Sequence, residues 1–95
     1  MRLTDSIINE FKEYLINNDK SSYTIEKYIR DVFKFKDFSS RDEITKEMTG
    51  EYKNYLIRNG YSVRSINSML SSVNALFEFL DRNDLKVKTI KMQRS

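Results

Sequence analysis

The chain has 95 residues, of which 39% are hydrophobic and 33% are charged, a balance typical of a folded globular domain. It contains no cysteine, histidine or proline, which excludes disulfides, thiolate or imidazole metal sites and histidine-based catalysis. Because it also lacks a secretory signal and any apolar run near the roughly 20 residues that span a bilayer, we expect a cytoplasmic helical domain without cofactor or metal, and not an enzyme.

Two helices are predicted in the first half of the chain. The first begins after Thr4, whose hydroxyl suits an N-cap, and ends at Asn18 and Asp19. The second begins after a cap at Ser21 or Ser22. Apolar residues recur three or four positions apart in both: Ile7, Ile8, Phe11, Tyr14 and Leu15, then Ile25, Tyr28, Ile29, Val32 and Phe35.

Two more helices are predicted in the second half. Thr45 caps the third helix, and Gly60 is placed to end it in the left-handed conformation. Ser62 caps the fourth helix. Their apolar positions are Met48, Tyr52, Tyr55 and Leu56, then Ile66, Met69, Leu70, Val73, Leu76, Phe77 and Leu80. We therefore predict an all-α domain of four helices arranged as two hairpins, with most aromatic residues in the core.

The two halves are related by an internal repeat. A shift of forty-one residues aligns positions 4–38 with positions 45–79 and gives eleven identical pairs in thirty-five positions. This period lies in the range of repeated helical hairpins. Two copies are too few for a solenoid, so we predict one closed domain with pseudo-symmetry.

The polar face of the fourth helix has an unusual composition. It carries Arg64, Asn67, Ser68, Ser71 and Asn74, whereas an ordinary solvent-exposed face favours Glu, Lys, Gln or Ala. Short neutral side chains allow close approach to another surface. The pattern is equally consistent with nucleic-acid contact and with a structural explanation, namely packing against another helix or drift on a surface that is not under selection.

The second helix offers a basic face. Lys27, Arg30 and Lys34 are three and four residues apart, although Glu26 and Asp31 are near enough to pair with them. Hydroxyl-rich turns open this helix and the fourth helix at equivalent repeat positions. We expect the pseudo-symmetry to bring the two helix starts to neighbouring points on one surface, where their dipoles favour phosphate.

The charge of the chain is concentrated near its C-terminus. Residues 1–80 carry twelve basic and twelve acidic side chains, whereas residues 81–95 carry five basic and two acidic ones and thus the whole net charge of +3. A basic segment of this kind is typical of phosphate contact and equally of a solvent-exposed tail, so charge alone does not distinguish the two.

Several stretches resemble the core-binding domains of tyrosine recombinases. Residues 22–35, which begin with Ser22, Thr24 and Tyr28, resemble the second helix of that family. Residues 44–56 resemble the third helix, residues 62–80 resemble the fourth, and residues 88–91 resemble the linker to the catalytic domain. The resemblance covers almost the whole chain.

The resemblance implies a four-helix SAM-like domain, residues 1–83, that grips double-stranded DNA during site-specific recombination and integration. Residues 84–95 would be a basic linker to a catalytic domain that is absent here, and other recombinase protomers would be further partners. No membrane or small-molecule substrate is implied. The DNA-contacting residues carried over are Ser22, Thr24, Lys27, Lys34, Arg64, Ser65, Asn67, Ser68 and Ser71.

One departure from the family concerns the fourth helix, where Ser68, Ser71 and Asn74 replace the arginine or lysine of many relatives. The family's catalytic residues belong to its C-terminal domain, and nothing in this chain matches them. The competing hypothesis is a helical protein-interaction module whose Ser/Asn face docks a partner helix.

Overall fold

The computed structural model describes residues 1–91 and consists of four α-helices. They are α1 (Asp5–Asn17), α2 (Ser22–Ser39), α3 (Lys46–Arg58) and α4 (Val63–Phe79), and a short 3₁₀ turn follows at Asn83–Leu85. No strand occurs in this part of the chain. The predicted all-α fold of two hairpins is confirmed. Residues 92–95 of the predicted linker lie outside the described residues.

Equivalent hydroxyls begin equivalent helices in the two halves. Thr4 and Thr45 each accept a hydrogen bond, 3.2 Å long, from the backbone N–H three residues later. Ser21 and Ser62 cap α2 and α4 in the same way, at 3.2 Å and 3.1 Å. Each cap satisfies one of the free N–H groups of an opening turn. The predicted caps are confirmed, with Ser21 rather than Ser22 at the start of α2.

The first helix of each hairpin also ends in the same way. Asn18 and Asn59 donate their side-chain amides to the carbonyl four residues earlier, at 2.7 Å in both cases. The next residues, Asp19 and Gly60, have φ values of 59° and 80°. A left-handed residue at this position ends a helix and turns the chain back on itself. The cap predicted at Gly60 is therefore confirmed, and Asp19 is its counterpart.

The core lies where α2 and α4, the two helices in most extensive contact, pack against each other and against α1 and α3. Aromatic rings from both halves meet there. Phe35 packs edge-on against Tyr52 and Phe77, with ring centroids 4.9 Å and 5.9 Å away. The other buried apolar residues are Leu3, Ile8, Phe11, Leu15, Val32, Ile44, Leu56, Ile66, Leu70, Val73, Leu76, Leu85 and Val87.

α2 and α4 meet at equivalent positions of the repeat. Lys27 contacts Ser68, and Asp31 contacts Ser72; both pairs are forty-one residues apart. Contact between a residue and its own repeat counterpart is what an approximate two-fold axis at the crossing produces. The predicted pseudo-symmetry is confirmed, and its axis passes through the α2–α4 contact.

The two helix starts are not neighbours. Lys34, in the second half of α2, lies over the ring of Tyr61, just before α4, with 5.1 Å from ammonium to centroid. Lys20, just before α2, lines a cavity together with Ala75 from the second half of α4. The two helices therefore run in opposing directions. The expectation that their starts lie side by side was wrong, because a two-fold axis at the crossing places them at opposite ends of the helix pair.

Within residues 1–91, none of the helices combines the length and the apolar character that crossing a membrane requires.

Candidate nucleic-acid interface

A cleft of about 290 Å³ opens between α2 and the first half of α4. Both of its walls come from segments that the sequence pattern had singled out. Lys27 and Arg30 stand on the α2 side, and Arg64, Ser65 and Ser68 stand on the α4 side. The complete lining is Lys27, Arg30, Asp31, Arg64, Ser65, Ser68 and Met69.

Lys27 forms an ion pair at the base of this cleft. Its Nζ lies 2.8 Å from Oδ2 of Asp31, 2.9 Å from Oγ of Ser72 and 3.1 Å from the carbonyl oxygen of Ser68. Ser72 in turn donates to Asp31 at 2.7 Å. Because Asp31 and Ser72 are buried, the charge of Lys27 is balanced inside the domain. Lys27 therefore braces α2 against α4.

Three other cations project outwards from the two helices. The side chain of Arg30 is 73% exposed and makes only a long contact of 3.9 Å with Asp31. Arg64 is exposed in the first turn of α4, and within the described residues no carboxylate lies within 4 Å of it. The interaction of Lys34 with the Tyr61 side chain raises the pKa of Lys34.

The hydroxyls at the two helix starts are largely engaged in capping. Ser21 donates to the hydroxyl of Thr24 at 2.9 Å, and Ser62 donates to that of Ser65 at 3.0 Å. Thr24 and Ser65 keep acceptor capacity on these oxygens. Ser22 is exposed in the first turn of α2.

The serines further along α4 differ in exposure. Ser68 is half-buried, and its carbonyl accepts from Lys27. Ser71 is exposed, and its hydroxyl donates to the carbonyl oxygen of Asn67 at 2.8 Å. Of these two residues, Ser71 is the one open to a ligand.

Asn67 and Asn74 bind the C-terminal part of this same chain. The amide of Asn74 donates to the carbonyl of Val87 at 2.8 Å and accepts from its N–H at 2.9 Å. Asn67 does the same with Ile90, at 2.8 Å and 2.7 Å. The Ser/Asn face thus has a packing role at these two positions, and its partner is an extended segment rather than a helix.

The outer surface of α4 has three parallel strips. At 3.6 residues per turn, Arg64, Ser71 and Glu78 form one outward ridge. Asn67 and Asn74 lie about 50° to one side of this ridge, under the extended segment. On the other side the helix faces α2 across the cleft. The ridge is therefore flanked by α2 and by the C-terminal segment.

A sequence model of the phage integrase N-terminal SAM-like domain matches residues 8–84. The chain belongs to this family. No curated protein matches it significantly. Membership agrees with the four-helix structure and associates the chain with integrase function, and the match covers the N-terminal domain of such proteins alone. The matched residues include most of α1, all of α2 to α4 and the first two residues of the 3₁₀ turn.

A second basic cavity, of about 480 Å³, lies at the start of α1 and was not predicted from the sequence. Arg2, Lys36 and Arg41 contribute cations to it, and Lys36 pairs with Asp5 at 3.1 Å. These residues are far apart in sequence, and no periodic pattern connects them. The cavity is a second place in the described part of the chain where cationic side chains from separate segments meet.

Proposed function

We propose that this integrase SAM-like domain binds double-stranded DNA through the surface formed by the outer faces of α2 and α4. The observation that carries the proposal is the cleft between them, which gathers Lys27, Arg30 and Arg64 around a single carboxylate, Asp31. The charge of Asp31 is neutralised by an ion pair with Lys27, whose Nζ lies 2.8 Å from Oδ2 of Asp31. The two arginines are thus available for phosphate, the group that supplies most of the affinity for duplex DNA.

The exposed polar residues give this surface a means of positioning DNA. Ser22 and Ser71 present short side chains that reach phosphate or base-edge atoms at low desolvation cost. Lys27 and Asn67 act indirectly, because the Lys27 ammonium is bound to Asp31 and the Asn67 amide is bound to the backbone of Ile90. The proposed contact set is Ser22, Thr24, Arg30, Lys34, Arg64, Ser65 and Ser71, with Lys27, Asn67 and the half-buried Ser68 in support.

Recombination chemistry belongs, in this proposal, to a separate catalytic domain of a tyrosine recombinase. Residues 1–83 form the core-binding domain and residues 84–95 the connection to that domain, although Leu85 and Val87 are themselves buried in the core. Other recombinase protomers are the second class of partner. A cytoplasmic location follows from the DNA substrate.

The competing hypothesis of a helix-docking protein module is less well supported. It requires the Ser/Asn face of α4 to be open to a partner. Asn67 and Asn74 instead have their donors and acceptors occupied by Ile90 and Val87.

Fluorescence anisotropy with labelled duplex DNA, at salt concentrations from 50 to 200 mM, tests the proposal. We expect a dissociation constant of about 10⁻⁴ to 10⁻⁶ M that rises steeply with salt, as for non-specific duplex binding. Replacing Arg30 and Arg64 with glutamate should abolish binding at the higher salt concentrations.

The matched control replaces Lys12 and Arg41 with glutamate, which changes the net charge equally but lies in α1 and after α2. This variant should lose far less affinity. No binding at low salt by the folded wild type would overturn the proposed function. Equal loss in both variants would overturn the proposed location.

A further inference from the structure

The segment of residues 86–91, called the strap below, is attached to the domain at Lys86, Val87, Lys88 and Ile90. It runs antiparallel to α4, since Val87 is bound by Asn74 and Ile90 by Asn67. The chain thus leaves the 3₁₀ turn and passes back towards the first turn of α4, where Arg64 lies.

The strap is held from both sides through its backbone. On one side, the two asparagine amides each bind the N–H and the carbonyl of a single residue, as neighbouring strands do in a sheet. On the other side, Lys46 and Lys53 of α3 donate to the carbonyls of Lys86 and Lys88, the latter at 2.9 Å. Backbone recognition fixes the path of the strap without using the side chains of Lys88 and Lys91.

Two of the three lysines of the strap are exposed, while its apolar residues turn towards the domain. Val87 is buried and Ile90 is half-buried, whereas Lys88 and Lys91 are exposed. Lys86 pairs with Glu78 at 3.1 Å. Among residues 1–91, no carboxylate lies within 4 Å of Lys88 or Lys91.

These lysines lie beside the part of α4 that lacks charge. Beyond Arg64, the outward positions of α4 are neutral as far as Glu78, and residues 1–80 as a whole carry no net charge. The strap occupies the flank of the α4 ridge opposite the α2 cleft. Cations therefore border the ridge on both sides: Arg30 on α2, and Lys88 and Lys91 on the strap.

We infer that the strap is the third element of the DNA-binding surface, in which Lys88 and Lys91 contact backbone phosphates and Asn67 and Asn74 position them. This inference rests on the proposed function of the α2–α4 surface. In this arrangement Asn67 and Asn74 hold the strap, and with it the cations Lys88 and Lys91. The two asparagines do not themselves take the place of cations on α4.

The test compares the salt dependence of duplex binding in three proteins: the wild type, K88Q/K91Q and the control K12Q/R41Q. If each strap lysine neutralises one phosphate, the slope of log K against log salt should fall in magnitude by about 1.8 in K88Q/K91Q, at about 0.9 per contact. The control removes the same charge from other surfaces and should leave the slope within 0.5 of the wild type, roughly half of one contact.

A second arm tests positioning with N67A/N74A, which keeps both lysines. Amide hydrogen exchange at Val87 and Ile90 should accelerate, and binding should weaken at constant helical content. Adding K88Q/K91Q to this variant should then cost clearly less affinity than it costs the wild type, because coupled residues are not additive.

The outcomes separate the two proposals. Absence of wild-type binding overturns the proposed function, and the strap inference with it. If the wild type binds and R30E/R64E does not, but K88Q/K91Q behaves like the control, the DNA-binding function stands and the strap inference is overturned. If the affinity losses of N67A/N74A and K88Q/K91Q simply add, Asn67 and Asn74 do not position the strap lysines.

Discussion

The hairpin of α1 and α2 and the hairpin of α3 and α4 share their N-caps and helix ends, but they differ on their outer surfaces. Where α2 carries Arg30 and Phe33, the repeat places Ser71 and Asn74 on α4. The residues that start and stop helices are thus kept in both copies, while outward residues differ. Both copies present an exposed arginine, Arg30 on α2 and Arg64 on α4, but the second copy also holds a basic strap.

The two halves differ most informatively where α2 crosses α4, because residues at equivalent positions of the repeat touch each other there. Identical charged residues at counterpart positions would face each other across the two-fold axis and repel. The sequence instead pairs Lys27 and Asp31 of α2 with Ser68 and Ser72 of α4. Where a contact position of the repeat is charged, its counterpart therefore has to differ.

The largest expected effect comes from breaking this crossing. Lys27→Met keeps the aliphatic stem but leaves Asp31, which is 6% exposed, without its cation. We expect a loss of about 3 kcal/mol in the free energy of unfolding, the lower end of the range for breaking a buried pair, because 22% of the Lys27 side chain is exposed.

Urea denaturation measures this loss, and Lys12→Met on the exposed face of α1 is the control. Equal stability of the two variants would show that the ion pair does not brace the helices.

A second prediction makes the halves more alike. Position 11 is phenylalanine and its counterpart is Tyr52, whose buried hydroxyl has no hydrogen-bond partner among residues 1–91. Because an unsatisfied buried hydroxyl costs about 1 to 3 kcal/mol, Tyr52→Phe should stabilise the domain by about 1.5 kcal/mol. Tyr23→Phe, at a residue that is 76% exposed, should change stability little.

The stability difference between Tyr52→Phe and the wild type should also depend on pH. Burial, and secondarily the charge of Asp31, raises the pKa of Tyr52 in the folded domain. The unfolded chain releases this proton near pH 10 and the folded domain does not, so the stability of the wild type falls above about pH 10. The advantage of Tyr52→Phe should grow between about pH 10 and 11. A constant difference would contradict the raised pKa.

The smallest expected effects test the equivalence of the halves. Ser21→Ala and Ser62→Ala should each lower the free energy of unfolding by about 1 kcal/mol, and their effects should add. Thermal or urea unfolding checks this, with Ser22→Ala, one residue inside α2, as the control. If the two cap variants lost very different amounts of unfolding free energy, the two halves would be alike in structure but not in the stability that their caps contribute.

The fold was predictable because its signals are local and duplicated. Thr4, Ser21, Thr45 and Ser62 were identified as caps from hydroxyl position alone, with Ser22 as an alternative to Ser21. The helix cores followed from apolar spacing. Each of these signals acts within one or two helical turns, which sequence periodicity captures.

The site was less predictable because its contacts join distant residues. The spacing of Lys27 and Asp31 allowed an exposed pair, but the burial of Asp31 depends on Ser72, forty-one residues away. Asn67 and Asn74 gave a pattern that fitted two interpretations, and the strap that binds them had been assigned to the linker. Val87 and Lys88, one apolar and one charged, form too short a pattern to predict the strap from the sequence.

The central claim is that duplex DNA lies on the α2–α4 surface and the strap. The most direct measurement is a titration of the ¹⁵N-labelled chain with duplex DNA, followed by NMR chemical shifts. The account predicts that the perturbed amides cluster at Arg30, Arg64, Ser71, Lys88 and Lys91. Perturbations concentrated at the α1 cavity, around Arg2 and Arg41, would contradict it.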